Sequence, residues 1–390
     1  MSEGRCARRV ADIAPFYVMD VLGRAKALEA QGKTIVHLEV GEPDFATPAP
    51  IIAGAKQALD RGLTHYTSAT GIPELRAAIS NYYRVHYSVE VDPNRIIVTP
   101  GASGALQLCV GILVGPGDAV LISDPGYPCN RHFVRLFEGR PISVPVGVEA
   151  DYQLTPEVVL QHARSHLTAV MVGTPSNPTG TTVPPPTLSR IIEEARAQGA
   201  WPIIDEIYNG LVYGMQSATA LALSDEVFVV NSFSKYFGMT GWRLGWLVAP
   251  IGFVPALERL AQNLFLAPST IAQYAALAAF QLDTLAVLEA RRQEYQLRRD
   301  FLLPALRTLG FEIPVRPSGA FYLYAKCNQF TRDSHAFALE LLERAGVAVT
   351  PGCDFGAFEA QHHLRFAYTT DLEALQEGVA RLQAYLTASA

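Results

Sequence analysis

The chain has 390 residues, of which 49% are hydrophobic and 17% charged, with a formal net charge of -6 at pH 7. That is enough apolar material for one large core with a smaller companion, and neither the charge nor any basic tract points to nucleic acid or an acidic membrane surface as a partner. No apolar run reaches membrane-spanning length without a Gly, Pro or charge inside it, and the five widely spaced cysteines form no CxxC pair, so neither a membrane protein, a disulfide framework nor a metal site is expected.

The first residues, Met1 to Arg9, are basic but lead into no apolar stretch of signal-peptide type, and a cytoplasmic protein is expected. Periodicity predicts a helix over residues 16–31, then a strand Ile35–Leu38. From about residue 95 to residue 250, short β-branched runs alternate with helical spacing, which is the pattern of a mostly parallel sheet covered on both faces. The seven predicted strands are Ile96–Val98, Ala119–Ile122, Ile142–Val144, Ala169–Val172, Pro202–Ile204, Val227–Val230 and Leu244–Val248; helices are predicted over Ser103–Leu113 and Pro186–Gln198. Past residue 283 the pattern changes. A long amphipathic helix, Asp283–Gly310, ends at a glycine suited to a C-cap. It is followed by Phe321–Tyr324, a helix Ser334–Ala345, Val347–Val349, Leu364–Ala367 and a terminal helix from Asp371, together a small α+β unit. The expected organisation is α/β: a large unit over 46–289, and a smaller one built from 1–45 and 290–390.

In an open sheet of this kind, ligands sit in the crevice beyond the carboxyl ends of the strands. The polar motifs fall there. Lys235 follows Val227–Val230 in the run Asn231-Ser-Phe-Ser-Lys-Tyr-Phe-Gly-Met-Thr-Gly-Trp-Arg243. Taken alone it reads as a solvated loop lysine; buried, it needs a chemical reason, because a bare ammonium is costly to desolvate. Ser232, Ser234 and Arg243 are the donors that a phosphate requires. Thr99-Pro-Gly-Ala-Ser-Gly104 follows another strand and opens a helix, so the Ala102 and Ser103 amides and the Ser103 hydroxyl can face an anion; its spacing is not that of a dinucleotide site. Asp205 ends a buried strand and has helix N-capping as its plain alternative. Asn177 suits a turn, and Tyr127 in Asp124-Pro-Gly-Tyr-Pro128 reads equally as a turn tyrosine.

Val40-Gly-Glu-Pro-Asp-Phe45, Pro175-Ser-Asn-Pro-Thr-Gly180, Asp205-Glu-Ile-Tyr208, Ser232-Phe-Ser-Lys235 and Gly241-Trp-Arg-Leu-Gly245 occur in one order along the chain. In that order they resemble the class I/II aminotransferases of the type I pyridoxal-phosphate fold, and most of all their aspartate-aminotransferase-like γ branch. The resemblance implies pyridoxal 5'-phosphate as cofactor, held by Lys235 as a Schiff base, with Asp205 on the pyridine nitrogen, Tyr208 and Asn177 at the ring's phenolic oxygen, and Tyr127 stacked on the ring. It implies phosphate contacts from Ala102, Ser103, Ser232, Ser234 and Arg243, and from Tyr66 of a neighbouring subunit in a homodimer. Gly41 and Arg365, with Asn177, would receive the substrate α-carboxylate, for which a planar guanidinium is needed. The implied reaction is ping-pong transfer of an amino group between an L-amino acid and a 2-oxo acid.

Carbon-sulfur lyases and aminocyclopropane-carboxylate synthases share these motifs, so a lyase is the alternative reading. A regulator is disfavoured, since too little chain precedes the core for a DNA-reading module. For a dicarboxylate substrate, Arg24 and Arg131 are the nearest second cations by position, although a surface role is expected for each. Phe16, Tyr17 and Leu266 would instead form an apolar wall, favouring a neutral or aromatic donor with 2-oxoglutarate or pyruvate as acceptor.

Overall fold

The structure, a computed structural model, describes residues 6–389; the N-terminal segment 1–5, on which part of the targeting expectation rests, lies outside the described residues. The strands are β1 (Val36–His37), β2 (Ile96–Thr99), β3 (Ala119–Asp124), β4 (Arg140–Pro145), β5 (Leu167–Gly173), β6 (Trp201–Asp205), β7 (Phe228–Ser232), β8 (Gly245–Val248), β9 (Tyr322–Lys326), β10 (Val347–Ala348), β11 (Thr350–Pro351) and β12 (His363–Ala367). The first large sheet has the order β2-β8-β7-β6-β5-β3-β4. Neighbours from β4 to β7 run parallel, and β8 runs against both of its neighbours.

Chemistry explains that sheet. β6 and β7 are apolar until their last one or two residues and buried on both faces, as strands covered by helices above and below must be. The strand order reverses between β3 and β5, because the chain moves outward to β4 and then returns to build β5, β6 and β7 on the other side. This is the switch point at which carboxyl-end loops diverge and leave a crevice. β2 shares the direction of β7, so its carboxyl end opens on the same edge. The helix Gly101–Leu113 begins there and packs on β7 and β8.

A second core lies under the three-stranded antiparallel sheet β11-β12-β9, with Leu302 and Leu306 of the long helix, Phe311, Leu323, Val349 and Phe366. β1 pairs in parallel with β10, and the helix Tyr17–Glu29 packs on β10 and β11. The long helix spans Leu282–Thr308 and stops at Gly310, whose φ of +100° is open to glycine at little cost. The helix predicted to reach Ala345 is α-helical only over Ser334–Glu340 and widens to a π turn over Leu341–Ala345. The two cores are knitted together: Tyr208 and Leu211, just past β6, pack in the second one, and Ser318 and Gly319 donate to the Gly180 carbonyl. Among the described residues, no single helix is long and apolar enough to cross a membrane.

Candidate active site

Asp205 ends β6 and Lys235 follows β7 by three residues, so two adjacent parallel strands deliver a carboxylate and an amine to one cavity of about 120 Å³. The Asp205 Oδ1 accepts from the Ile207 amide at 3.1 Å, which is the local turn expected of an N-capping Asp, and the side chain still faces the cavity. Burial is the main influence on it and pushes its pKa up to about 6, with the Ile207 amide and Lys235 opposing. Burial likewise pushes the Lys235 amine down to about 8, helped by Arg365. The Lys235 Nζ donates to the Gly41 carbonyl at 2.7 Å. This lysine is no surface residue.

The opposite end of the cavity gathers donors. Ala102 and Ser103 stand in the first turn of the helix Gly101–Leu113, where amides have no intrahelical acceptor. Arg243 adopts the left-handed conformation, φ +51°, which costs about 1 kcal/mol for a side chain of its kind and turns it toward the same place. Its guanidinium lies so close to Gly101 that a Cβ there would sit 2.5 Å from Nη2. Arg243 Nη1 donates to the Thr240 carbonyl at 3.0 Å and contacts Ser234 Oγ at 3.5 Å. Ser232 differs from the expectation: its hydroxyl donates to the Leu244 carbonyl at 3.4 Å and accepts from the Ser234 amide at 3.0 Å, so it shapes the loop with the proton it would otherwise offer an anion.

Toward the second sheet, Arg365 of β12 extends Nη1 to Asn177 Oδ1 at 2.8 Å and Nη2 to the Glu39 carbonyl and Thr350 Oγ1. Its Nε is buried and has no hydrogen-bond partner among the described residues. Tyr208 is buried, and its hydroxyl lies 2.8 Å from that of Tyr322, a residue that belongs to none of the motifs. Tyr127, following β3, lines the cavity beside Asp205, and burial raises its phenol far above the ordinary value. Gly41 sits against Tyr322, where a Cβ would fall 1.9 Å from the hydroxyl oxygen. Tyr66 is 83% exposed and does not line its own chain's cavity.

Of the two candidate cations, Arg24 pairs with Asp20 on the exposed face of its helix, at 3.3 Å. Arg131 departs from the surface role expected of it. It lines the crevice with Tyr127 and Asn177, and its Nη2 donates to the Asp354 carbonyl at 2.9 Å. Tyr322 escapes sequence reading because it stands in no recognisable spacing, whereas Arg131 is named from the sequence as a candidate cation but only the fold shows that it leaves the surface.

The donor set fits pyridoxal phosphate. A buried carboxylate whose pKa burial has raised is held ionised by a neighbouring cation, which a ring nitrogen supplies; a buried amine whose pKa burial has lowered gives up its proton more readily to meet an aldehyde; and amides with an arginine at a helix start suit a phosphate.

The family model for aminotransferase class I and II matches residues 33–382, and the chain belongs to that family. It is 36% identical to the (5-formylfuran-3-yl)methyl phosphate transaminase of Methanocaldococcus jannaschii, over 97% of this chain and 99% of that protein. It is also 36% identical to the valine–pyruvate aminotransferase of Mycobacterium tuberculosis, over 96% of this chain and 97% of that one. The crystal structure of an aminotransferase from Mycobacterium tuberculosis superposes with a TM-score of 0.96 at 36% identity, covering 99% of this chain and 100% of the other. The fold is therefore the type I pyridoxal-phosphate fold, and the protein is a pyridoxal-phosphate-dependent aminotransferase that moves an amino group between an amino acid and a 2-oxo acid. These relatives are named for amino-group transfer, and nothing in them favours elimination.

Proposed function

We propose that the chain is an aminotransferase for a neutral or aromatic L-amino acid, with 2-oxoglutarate or pyruvate as acceptor, in which Lys235, Asp205 and Tyr208 act on the cofactor and Arg365 on the substrate. Pyridoxal phosphate supplies an aldehyde for covalent capture and an electron-withdrawing ring that delocalises charge developed at the substrate Cα. Lys235 takes and returns the proton at that carbon, for which an amine near pKa 8 in a dry site is suited. Asp205 holds its charge against the ring nitrogen. Ala102, Ser103, Ser234 and Arg243 would hold the phosphate, with Ser232 shaping their loop, while Tyr127 and Asn177 would hold the ring, Asn177 being also bonded to Arg365. Gly41 and the free Nε of Arg365 accept the α-carboxylate.

The observation that carries this reading is the convergence of Lys235, Asp205 and Arg243 on one cavity, with the Arg365 Nε unpaired nearby. A neutral donor is favoured because Arg131, the one cation lining the crevice beside Tyr127 and Asn177 among the described residues, already serves the Asp354 carbonyl and lies under the charges of Asp124 and Asp354. Exposed Tyr66, in a stretch tied to the start of a helix by the Thr270 hydroxyl donating to the His65 carbonyl at 2.7 Å, supports a homodimer in which Tyr66 reaches the neighbouring phosphate. The division into a large unit, 46–289, and a small one, 1–45 with 290–390, is supported by the two cores, and a cytoplasmic setting by five free cysteines. A donor screen with each acceptor, read by the absorbance of the half-reaction, tests the substrate class. Fastest turnover with aspartate would overturn the neutral-donor assignment, whereas turnover with glutamate is expected wherever 2-oxoglutarate is the acceptor.

A further inference from the structure

Tyr322 opens β9, is buried, and touches three of the residues just assigned. Its hydroxyl is 2.8 Å from Tyr208 Oη. Its ring lies under the Arg365 guanidinium, with Cζ 4.3 Å from the ring centroid. The space next to its hydroxyl is the space that any side chain at position 41 would need, and the Gly41 carbonyl is the acceptor for Lys235 Nζ. We propose that Tyr322 is a positioning residue for transamination: its hydroxyl donates to Tyr208, freeing the Tyr208 proton for the cofactor, and its ring fixes the plane of the Arg365 fork that takes the α-carboxylate. The inference rests on the roles given above to Tyr208 and Arg365.

The direction of the hydrogen bond follows from what surrounds it. Burial pushes both phenols up, so both are neutral and each has one proton to give. The contact between the two hydroxyls can run in either direction, and among the described residues neither meets another partner; Tyr208 lines the crevice with Asp205 and Tyr322 does not, so Tyr208 is the phenol with a cavity-side partner to serve and Tyr322 the one assigned to donate to it. Tyr208 then accepts from Tyr322 and keeps its own proton for a partner on the cavity side. A phenol that accepts one hydrogen bond is a better donor in the next, because such chains polarise each other. On the second side, Arg365 has Nη1 and Nη2 committed to Asn177, Thr350 and the Glu39 carbonyl, and the Tyr322 ring braces the face of the guanidinium. Nε is left to the substrate. Gly41 is needed so that Tyr322 can reach both.

The test uses holoenzyme of wild type, Tyr208→Phe, Tyr322→Phe and Tyr322→Leu. One readout is the midpoint of the pH-dependent visible absorbance of the bound cofactor; the others are kcat and KM for alanine and for ethylamine. A hydrogen bond donated to the ring-side oxygen drains charge from the proton-binding end of the chromophore, so weakening it raises the midpoint. Tyr208→Phe should raise it by about one pH unit, and Tyr322→Phe, which keeps the ring, by about half a unit with KM for alanine unchanged. Tyr322→Leu should show the same spectral shift and, in addition, a KM for alanine raised about tenfold with ethylamine unaffected. A midpoint at the wild-type value in Tyr322→Phe, while Tyr208→Phe moves it, would overturn the proposal and leave the Tyr208 assignment standing. An unmoved midpoint in Tyr208→Phe would overturn that assignment and the proposal with it. If Tyr322→Leu fails to fold, the spectrum of Tyr322→Phe decides alone.

Discussion

The cofactor end and the carboxylate end of this site are built by different means. At the edge of the large sheet, most of the hydrogen bonds that shape the site are local: Ser234 to Ser232, Ile207 to Asp205 and Arg243 to Thr240 join residues two or three positions apart, and the contact of Lys235 with the Gly41 carbonyl is the long-range exception. At the second sheet, Arg365 is held by Asn177 and by the Glu39 carbonyl, 188 and 326 positions away along the chain. A short loop can carry the first arrangement in its own sequence, whereas the second exists only once the whole fold has formed. Mutations at the cofactor end should therefore remove chemistry, and those at the carboxylate end should lose alignment.

The largest expected effect is at Lys235. Lys235→Ala removes the amine that captures the cofactor and moves the proton, and activity should fall by about 10⁴-fold or more, with cofactor retained only through noncovalent contacts. Borohydride reduction of the wild type followed by peptide mapping is the check. Label on any lysine other than Lys235 would overturn the assignment.

Asp205→Asn comes next. The amide preserves shape but removes the charge opposite the ring nitrogen, and a loss of about 10³-fold in the proton-transfer half-reaction is expected, in the range of losing a major electrostatic stabiliser. Cofactor content is measured alongside. Near-normal turnover in fully loaded mutant would reduce Asp205 to the turn-capping role that its contact with Ile207 already shows.

Arg365→Lys tests the other end. The charge remains, the planar fork goes, and the contacts to Asn177 and Thr350 cannot all be remade. The expected loss is about 10 to 100-fold in kcat/KM for every amino acid and oxo acid, because each presents the same α-carboxylate, with ethylamine nearly unaffected. Equal slowing of ethylamine and alanine would make Arg365 a structural residue.

The contrast between the two ends also explains how much the sequence disclosed. All seven strands of the large sheet were legible: six are buried along most of their length and need a nearly continuous apolar run, while the largely exposed edge strand β4 showed itself only through Ile142 and Val144. Lys235, Asp205 and Arg243 were legible because each lies at the end of such a run or in the loop beyond it. Arg365 could be named only through the family resemblance, and what orients it could not. Glu39 contributes a main-chain oxygen, which has no sequence signature, and Tyr322 looks like any other aromatic in an apolar strand. Arg131 was misplaced for a related reason: its helix, Pro128–Leu136, turns one face to the crevice, and charge alone does not say which face an arginine occupies. The left-handed conformation of Arg243 is likewise set by its surroundings, since nothing about arginine favours it.

The smallest predicted effect concerns the strand that carries the Glu39 carbonyl to Arg365. His37 Nδ1 pairs with the buried Glu39 carboxylate at 2.7 Å, and Nε2 reaches Glu29 at 3.1 Å. The hydrogen bond to Glu39, more than any other influence, lifts the imidazole to about 9, with burial opposing it. Because the folded value lies above the unfolded one near 6.5, the stabilisation is complete below about pH 6.5 and is lost as pH rises through 9. His37 is about one-third exposed, so solvent screening leaves about 1 kcal/mol of that effect. His37→Gln should therefore unfold at lower urea than wild type at pH 6 and match it above about pH 9.5. A gap that stays constant from pH 6 to pH 9.5 would mean that packing, and not the ion pair, holds β1 in register with β10, and that alignment at the carboxylate end does not depend on the charge of His37.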